Sequence, residues 1–117
     1  VSILNMSQKL INRFRIIVVE FHDLHKLWNP AQFYLINMTF NKLLQTHSVV
    51  HIHPNNDSPI FSYKGINIPQ LAEFTFYRKD RISKLGYSNI FPHKLDSQNV
   101  ESKKDITLPK EWYRNNN

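Results

Sequence analysis

The sequence predicts an α/β fold in which a strand–helix–strand crossover is followed by an antiparallel strand. Three stretches carry that reading. The run Arg15-Ile16-Ile17-Val18-Val19-Glu20-Phe21-His22 is apolar and β-branched, the pattern of a strand covered on both faces. Asn29-Pro30-Ala31-Gln32 spells a helix start, with an N-cap, a proline at the first helical position and a glutamine to complete a capping box. Val49-Val50-His51-Ile52-His53 is a second strand, stopped by the turn residues Pro54-Asn55-Asn56-Asp57.

Taken in order, residues 3–14 place Ile3, Met6, Leu10, Ile11 and Phe14 at helical spacing, predicting an amphipathic helix against the first strand. Strand alternation puts Ile16, Val18, Glu20 and His22 on one face of that strand and Ile17, Val19 and Phe21 on the other. In the helix, Phe33, Ile36, Phe40, Leu43 and Leu44 form the expected buried stripe, with Asn37, Asn41, Lys42 and Gln45 outward. The helix should end near Thr46-His47, and its length suits a crossover between parallel neighbours. In the second strand Val49, His51 and His53 share one face, Val50 and Ile52 the other. Residues 57–69 hold Pro59, Gly65 and Pro69 and read as a long loop with a short pairing near Ile60 to Tyr63. Residues 71–78 form the third strand, with Ala72, Phe74 and Phe76 alternating against Glu73, Thr75 and Tyr77. The loop return before it favours antiparallel pairing. Residues 1–91 then make one α/β unit, and 92–117 an extended tail docked by Ile106, Leu108 and Trp112, with Asn115 to Asn117 frayed.

Composition narrows the function classes. The chain has 117 residues, 41% of them hydrophobic and 13% aromatic, which fits one globular domain. No apolar stretch reaches the roughly 20 residues that span a bilayer. Lys9, Arg13 and Arg15 interrupt anything resembling a signal peptide, and a cytoplasmic setting is expected. The absence of cysteine excludes disulfides and thiolate metal sites. A net charge of +6 invites nucleic acid as a partner, yet the basic residues are scattered. Their one dense group, Arg78-Lys79-Asp80-Arg81 with Lys84, reads as a solvated strand end. The chain opens at Val1 inside a helical pattern without an initiator methionine, so a piece of a longer protein is expected.

Chemistry concentrates at the carboxyl ends of the first two strands, where open α/β sheets place their sites. Glu20 and His22 share a face, as do His51 and His53, and a histidine is a natural proton acceptor near neutral pH. Glu20, His22, His51 and His53 are therefore candidate catalytic residues, with Asn55 and Asn56 as substrate-binding candidates, all by position alone. Glu20 bonded to a neighbouring loop amide is an equally good account of that carboxylate. The pair His51-x-His53 with a carboxylate also suits a metal, so a small metal-binding protein is an alternative, and a non-catalytic binding module another. Nucleophile elbows and glycine-rich phosphate or dinucleotide loops are excluded, because Gly65 and Gly86 are the sole glycines. An RNA-recognition sheet on Phe74-Thr75-Phe76-Tyr77-Arg78-Lys79 lacks its required glycines as well.

Four segments resemble the C-terminal half of bacterial FkbM-like methyltransferases. They are Ile17-Val18-Val19-Glu20-Phe21-His22, Phe40-Asn41-Lys42-Leu43-Leu44-Gln45-Thr46-His47, Val50-His51-Ile52-His53-Pro54-Asn55-Asn56 and Glu73-Phe74-Thr75-Phe76-Tyr77-Arg78. The closing Phe91-Pro92-His93-Lys94-Leu95-Asp96-Ser97-Gln98-Asn99, with Leu108-Pro109 and Trp112-Tyr113, extends the likeness over most of the chain. The resemblance implies a partial class I methyltransferase-like (Rossmann-like) sheet: the last three strands of a seven-stranded sheet that has helices on both faces and an antiparallel strand near its end. It implies methyl transfer from S-adenosylmethionine to an oxygen or nitrogen of a small-molecule or glycan-type acceptor. In that family a glycine-rich loop and an acidic residue of the first half hold the cofactor, and neither is present here. The isolated chain is thus expected to be inactive and to bind no cofactor, and a half sheet should self-associate through its exposed edge.

Overall fold

The computed structural model describes residues 2–114 as an α/β chain of two small antiparallel sheets and one long helix. The first apolar run becomes β1, Ile16–Phe21, the capped segment becomes the long helix, Pro30–Leu44, and the second run becomes β2, His47–Pro54. Two short strands follow, β3 at Ile60–Tyr63 and β4 at Ile66–Pro69, and β5 spans Ala72–Arg78.

The main sheet has the order β1-β5-β2, and β5 is antiparallel to both neighbours. β1 and β2 therefore run in the same direction, as a crossover requires, but they are not neighbours. The last strand fills the place between them. Non-local pairing of this kind leaves no mark on strand periodicity, which reports faces and not strand order.

Register assigns the faces. Ile17, Val19 and Phe21 of β1 stand opposite Phe76, Phe74 and Ala72 of β5, which meet Val49, Ile52 and Pro54 of β2 on the other side. This is the core face, closed by the helix. Phe40 stacks on Phe21 with ring centroids 4.7 Å apart and meets Phe74 edge-on at 5.2 Å. Such ring pairs contribute about 0.5–1.5 kcal/mol beyond burial. The opposite face carries Ile16, Val18 and Glu20, then Tyr77, Thr75 and Glu73, then Ser48, His51 and His53.

A bulge between Val49 and His51 corrects the alternation expected for β2. The extra residue, Val50, shifts phase, so Val49 joins Ile52 in the core instead of sharing a face with His51 and His53.

Other elements also differ from expectation. The N-terminal helix is divided into a 3₁₀ turn, Ile3–Asn5, and a one-turn helix, Gln8–Ile11, because Ser2 and Ser7 each cap a new start. Ile11 is fully buried, whereas Leu10 and Phe14 stay exposed. In the long helix Asn29 Oδ1 accepts from the amides of Ala31 and Gln32, as its sequence predicts. That helix ends at Leu44, with only Leu43 fully buried. Ile36 and Phe40 pack on the core, while Phe33 and Leu44 remain exposed. Lys42, expected outward, bends to the carbonyls of Leu4 and Met6 and so ties the helix to the N-terminal turns.

The long loop contains a complete hairpin, β3–β4. Its two-residue turn is Lys64-Gly65, both at positive φ (49° and 78°), the geometry that matches the twist of paired strands. Asn115 to Asn117, expected to fray, lie outside the described residues, as does Val1.

Candidate functional site

β1 and β2 run the same way, so their carboxyl ends lie at one end of the sheet and carry most of the candidates there. Glu20 is held at both oxygens. His22 Nε2 lies 3.0 Å from Oε1, and the Asn55 side-chain amide donates to Oε2 at 2.9 Å. This trio joins the end of β1 to the turn after β2. The alternation that put Glu20 and His22 together is realised as a contact, and the loop amide foreseen for Glu20 is Asn55.

Across the sheet Glu20 stands opposite Glu73, which stands opposite His53. Two strand spacings, roughly 10 Å, separate the backbones of Glu20 and His53. Like charges placed directly opposite repel, and the two donors on Glu20 offset that repulsion.

His51 and His53 turn toward the C-terminal segment. His51 Nε2 meets Asp96 Oδ1 at 2.8 Å, and His53 Nε2 meets both oxygens of Asp105 at 3.3 Å. A carboxylate can only accept, so each Nε2 is the donor, and in the neutral ring Nδ1 is left as the acceptor. Asp96 is positioned in turn by the His93 amide, which donates to its second oxygen at 2.7 Å. His51 therefore has the layout of an imidazole oriented by a carboxylate, the arrangement that prepares a general base. Neither aspartate was marked by sequence reasoning. They lie 45 and 52 positions from their histidines, and no spacing rule reaches that far.

Asn56, a candidate for substrate contact, is buried and faces the tail. Its amide donates to the Val100 and Lys103 carbonyls, both at 3.0 Å, and its oxygen accepts from the Val100 amide at 2.8 Å. His47, the third histidine of β2, is wholly buried. Its Nε2 donates to the Phe14 carbonyl, so its Nδ1 accepts from the Thr46 hydroxyl.

Among the described residues no three histidine or carboxylate groups converge in a metal-holding arrangement. The basic group after β5 is engaged locally: Arg78 bonds Asp80 and the Asn12 carbonyl, and Lys79 bonds the Leu44 carbonyl. No helix among the described residues is long and apolar enough to cross a membrane.

No family model, curated protein or solved structure matches this chain. Its chemistry must be read from the site itself.

Beside β2 lies an open groove of about 820 Å³. His51 forms part of its wall, along with Phe74, Phe91, Trp112 and Tyr113. Phe91 stacks near-parallel to the His51 ring at 6.2 Å and packs on Tyr113 at 4.8 Å. Among the described residues the groove is a concavity with a candidate proton acceptor, His51, in its wall.

Proposed function

We propose that this chain is the C-terminal portion of an FkbM-like, S-adenosylmethionine-dependent methyltransferase and forms the acceptor side of its site. The observation that carries the reading is the strand arrangement. Two strands run in one direction with polar carboxyl ends, and the last strand runs against them, one place in from the outer strand β2. This supports the reading, because the resemblance implies an antiparallel strand near the sheet's end. Asn55 bonding Glu20 brings the two polar ends into one wall.

The described residues do not fit the cofactor. Gly65 sits in the β3–β4 turn and Gly86 on the groove, and neither follows a strand to open a helix. β1 instead leads to the long helix through Asp23 and a 3₁₀ turn, Leu24–Lys26. What these residues can do is bind an acceptor, orient it and take a proton at His51 Nδ1, held in place by Asp96. Glu20, His22 and His53 are the remaining polar groups of that wall.

The free edge of β1 belongs to the same proposal. Ile16 and Val18 are half exposed there, and a continuing sheet would pair with that strand. Without that continuation, two copies pair edge to edge.

The reading frame upstream of Val1 tests the proposal. A strand followed by a glycine-rich turn is expected, and an upstream sequence without one overturns it. Calorimetry supplies a second arm. The isolated chain should show no tight binding of S-adenosylhomocysteine, and tight binding by these residues alone would contradict the division of labour.

A further inference from the structure

We propose that the groove beside β2 is a binding site for a ring-bearing organic anion, a molecule that combines a stacking face with one carboxylate, phosphate or sulfate. Size is the first argument. At about 820 Å³ the groove falls within the range of roughly 300–1,000 Å³ found for small-molecule sites. Its walls are the second. Phe74, Phe91, Trp112 and Tyr113 come from a strand, from the residue just before the tail and from the tail itself, so the aromatic lining is assembled by folding and not by one local run. Ring faces of this kind hold flat or pyranose-like molecules with little directional demand.

Charge is the third argument, and it selects the sign of the ligand. Lys84 and Arg114 border the groove against a single carboxylate, Glu111. Arg114 is steadied over the Tyr87 ring at 4.8 Å, and Lys84 forms no ion pair among the described residues. Asp96, the carboxylate bonded to the groove residue His51, is already engaged by that ring and by the His93 amide. A cationic ligand would meet two like charges, and a neutral one would leave both cations unused. A long polyanion would find too few cations to follow. His51 lines the same groove with its ring fixed through Nε2 by Asp96. The inference rests on the methyltransferase reading only in calling this ligand the acceptor. The upstream sequence decides that reading, and binding decides the groove.

Trp112 makes the groove directly observable. A Trp28→Phe background leaves Trp112 as the sole tryptophan, because the chain has two. The probes are 4-nitrophenyl β-glucuronide and its uncharged counterpart, 4-nitrophenyl β-glucoside. The glucuronide should quench Trp112 saturably and bind roughly fivefold more tightly than the glucoside, the scale of one exposed charge pair. Lys84→Glu should remove that preference, while Lys64→Glu on the β3–β4 turn, outside the groove lining, should leave it intact. Circular dichroism of each variant confirms that it folds. Equal affinity for the two probes, absence of saturation with both, or a preference that survives Lys84→Glu would overturn the proposal.

Discussion

The two outer strands of the main sheet, β1 and β2, have the same direction and the same central neighbour, yet they meet solvent differently. β2 offers His51 and His53, and Asn56 follows it; each of the three is bonded by the C-terminal segment, through Asp96, Asp105 and the Val100–Lys103 backbone. Trp112 then packs against Phe74 on the core face and donates to the Asn67 carbonyl at 2.8 Å. On the same sheet face β1 offers Ile16 and Val18, and both remain about half exposed, at 52% and 55%. Directional polar groups recruit a later stretch of the same chain, because hydrogen bonds repay the ordering of an extended segment. Apolar side chains without a geometric complement recruit nothing within the described residues, and they stay available to another sheet.

The strongest way to break the contrast is to release the tail. Leu108 is 2% exposed and anchors a stretch that lacks regular structure. Leu108→Ala should lower stability by about 2–5 kcal/mol, the cost of a buried large-to-small change. Urea unfolding gives the measurement, and an unchanged midpoint would mean that the tail is not anchored there. Asn56→Ala should cost less, about 1–3 kcal/mol, since it leaves the part-buried Val100 amide and two carbonyls without their partner. If both variants behave like surface substitutions, the difference between the two strands is one of appearance only.

How far these features were legible in the sequence follows from the range of the interaction behind each. β1, the long helix, β2 and β5 were readable because β-branched runs, helical spacing and the Asn29-Pro30 start are local signals. The Lys64-Gly65 turn was a local signal too, and it could have turned the supposed loop into the β3–β4 hairpin. Three features were beyond reach. β5 lying between β1 and β2 is a matter of non-local pairing. The bulge that moves Val49 into the core changes phase without a glycine or proline to mark it. Asp96 and Asp105 reach their histidines from a stretch that reads as a polar tail. Of the candidate site, Glu20 with His22 was accessible from alternation alone. The orientation of His51 was not, because it is set by a residue 45 positions away.

The exposed side of β1 gives the next test. Val18→Lys places a charge on the half-exposed position and should change stability by no more than about 0.5 kcal/mol, as for most surface substitutions. If two copies pair through β1, it should nonetheless shift that dimer toward monomer in sedimentation equilibrium, since a lysine on an edge strand is a common block to edge pairing. A wild-type chain that is monomeric at all concentrations would remove the argument that this edge awaits more sheet.

The smallest effect belongs to the polar tie on the β1 side. Arg78, at the end of β5, donates to the Asn12 carbonyl at 3.0 Å, and its backbone amide bonds the Arg15 carbonyl at 2.8 Å just before β1. Its Nε also donates to Asp80 at 2.7 Å, and that hydrogen bond is the main reason the Asp80 carboxyl is held below its ordinary value of 3.8. A depressed carboxylate pKa favours folding where the group is ionised in both states. The contribution is therefore present above the ordinary value and fades as pH falls through the lowered one. Asp80 is exposed, so solvent screening keeps the effect on stability slight. Arg78→Met removes the guanidinium and keeps most of the stem. The Asp80 titration followed by NMR should then move up toward the ordinary value. If it stays depressed, Arg81 and the local backbone supply more of the field than Arg78 does, and the tie at this end of β5 is weaker than its geometry implies.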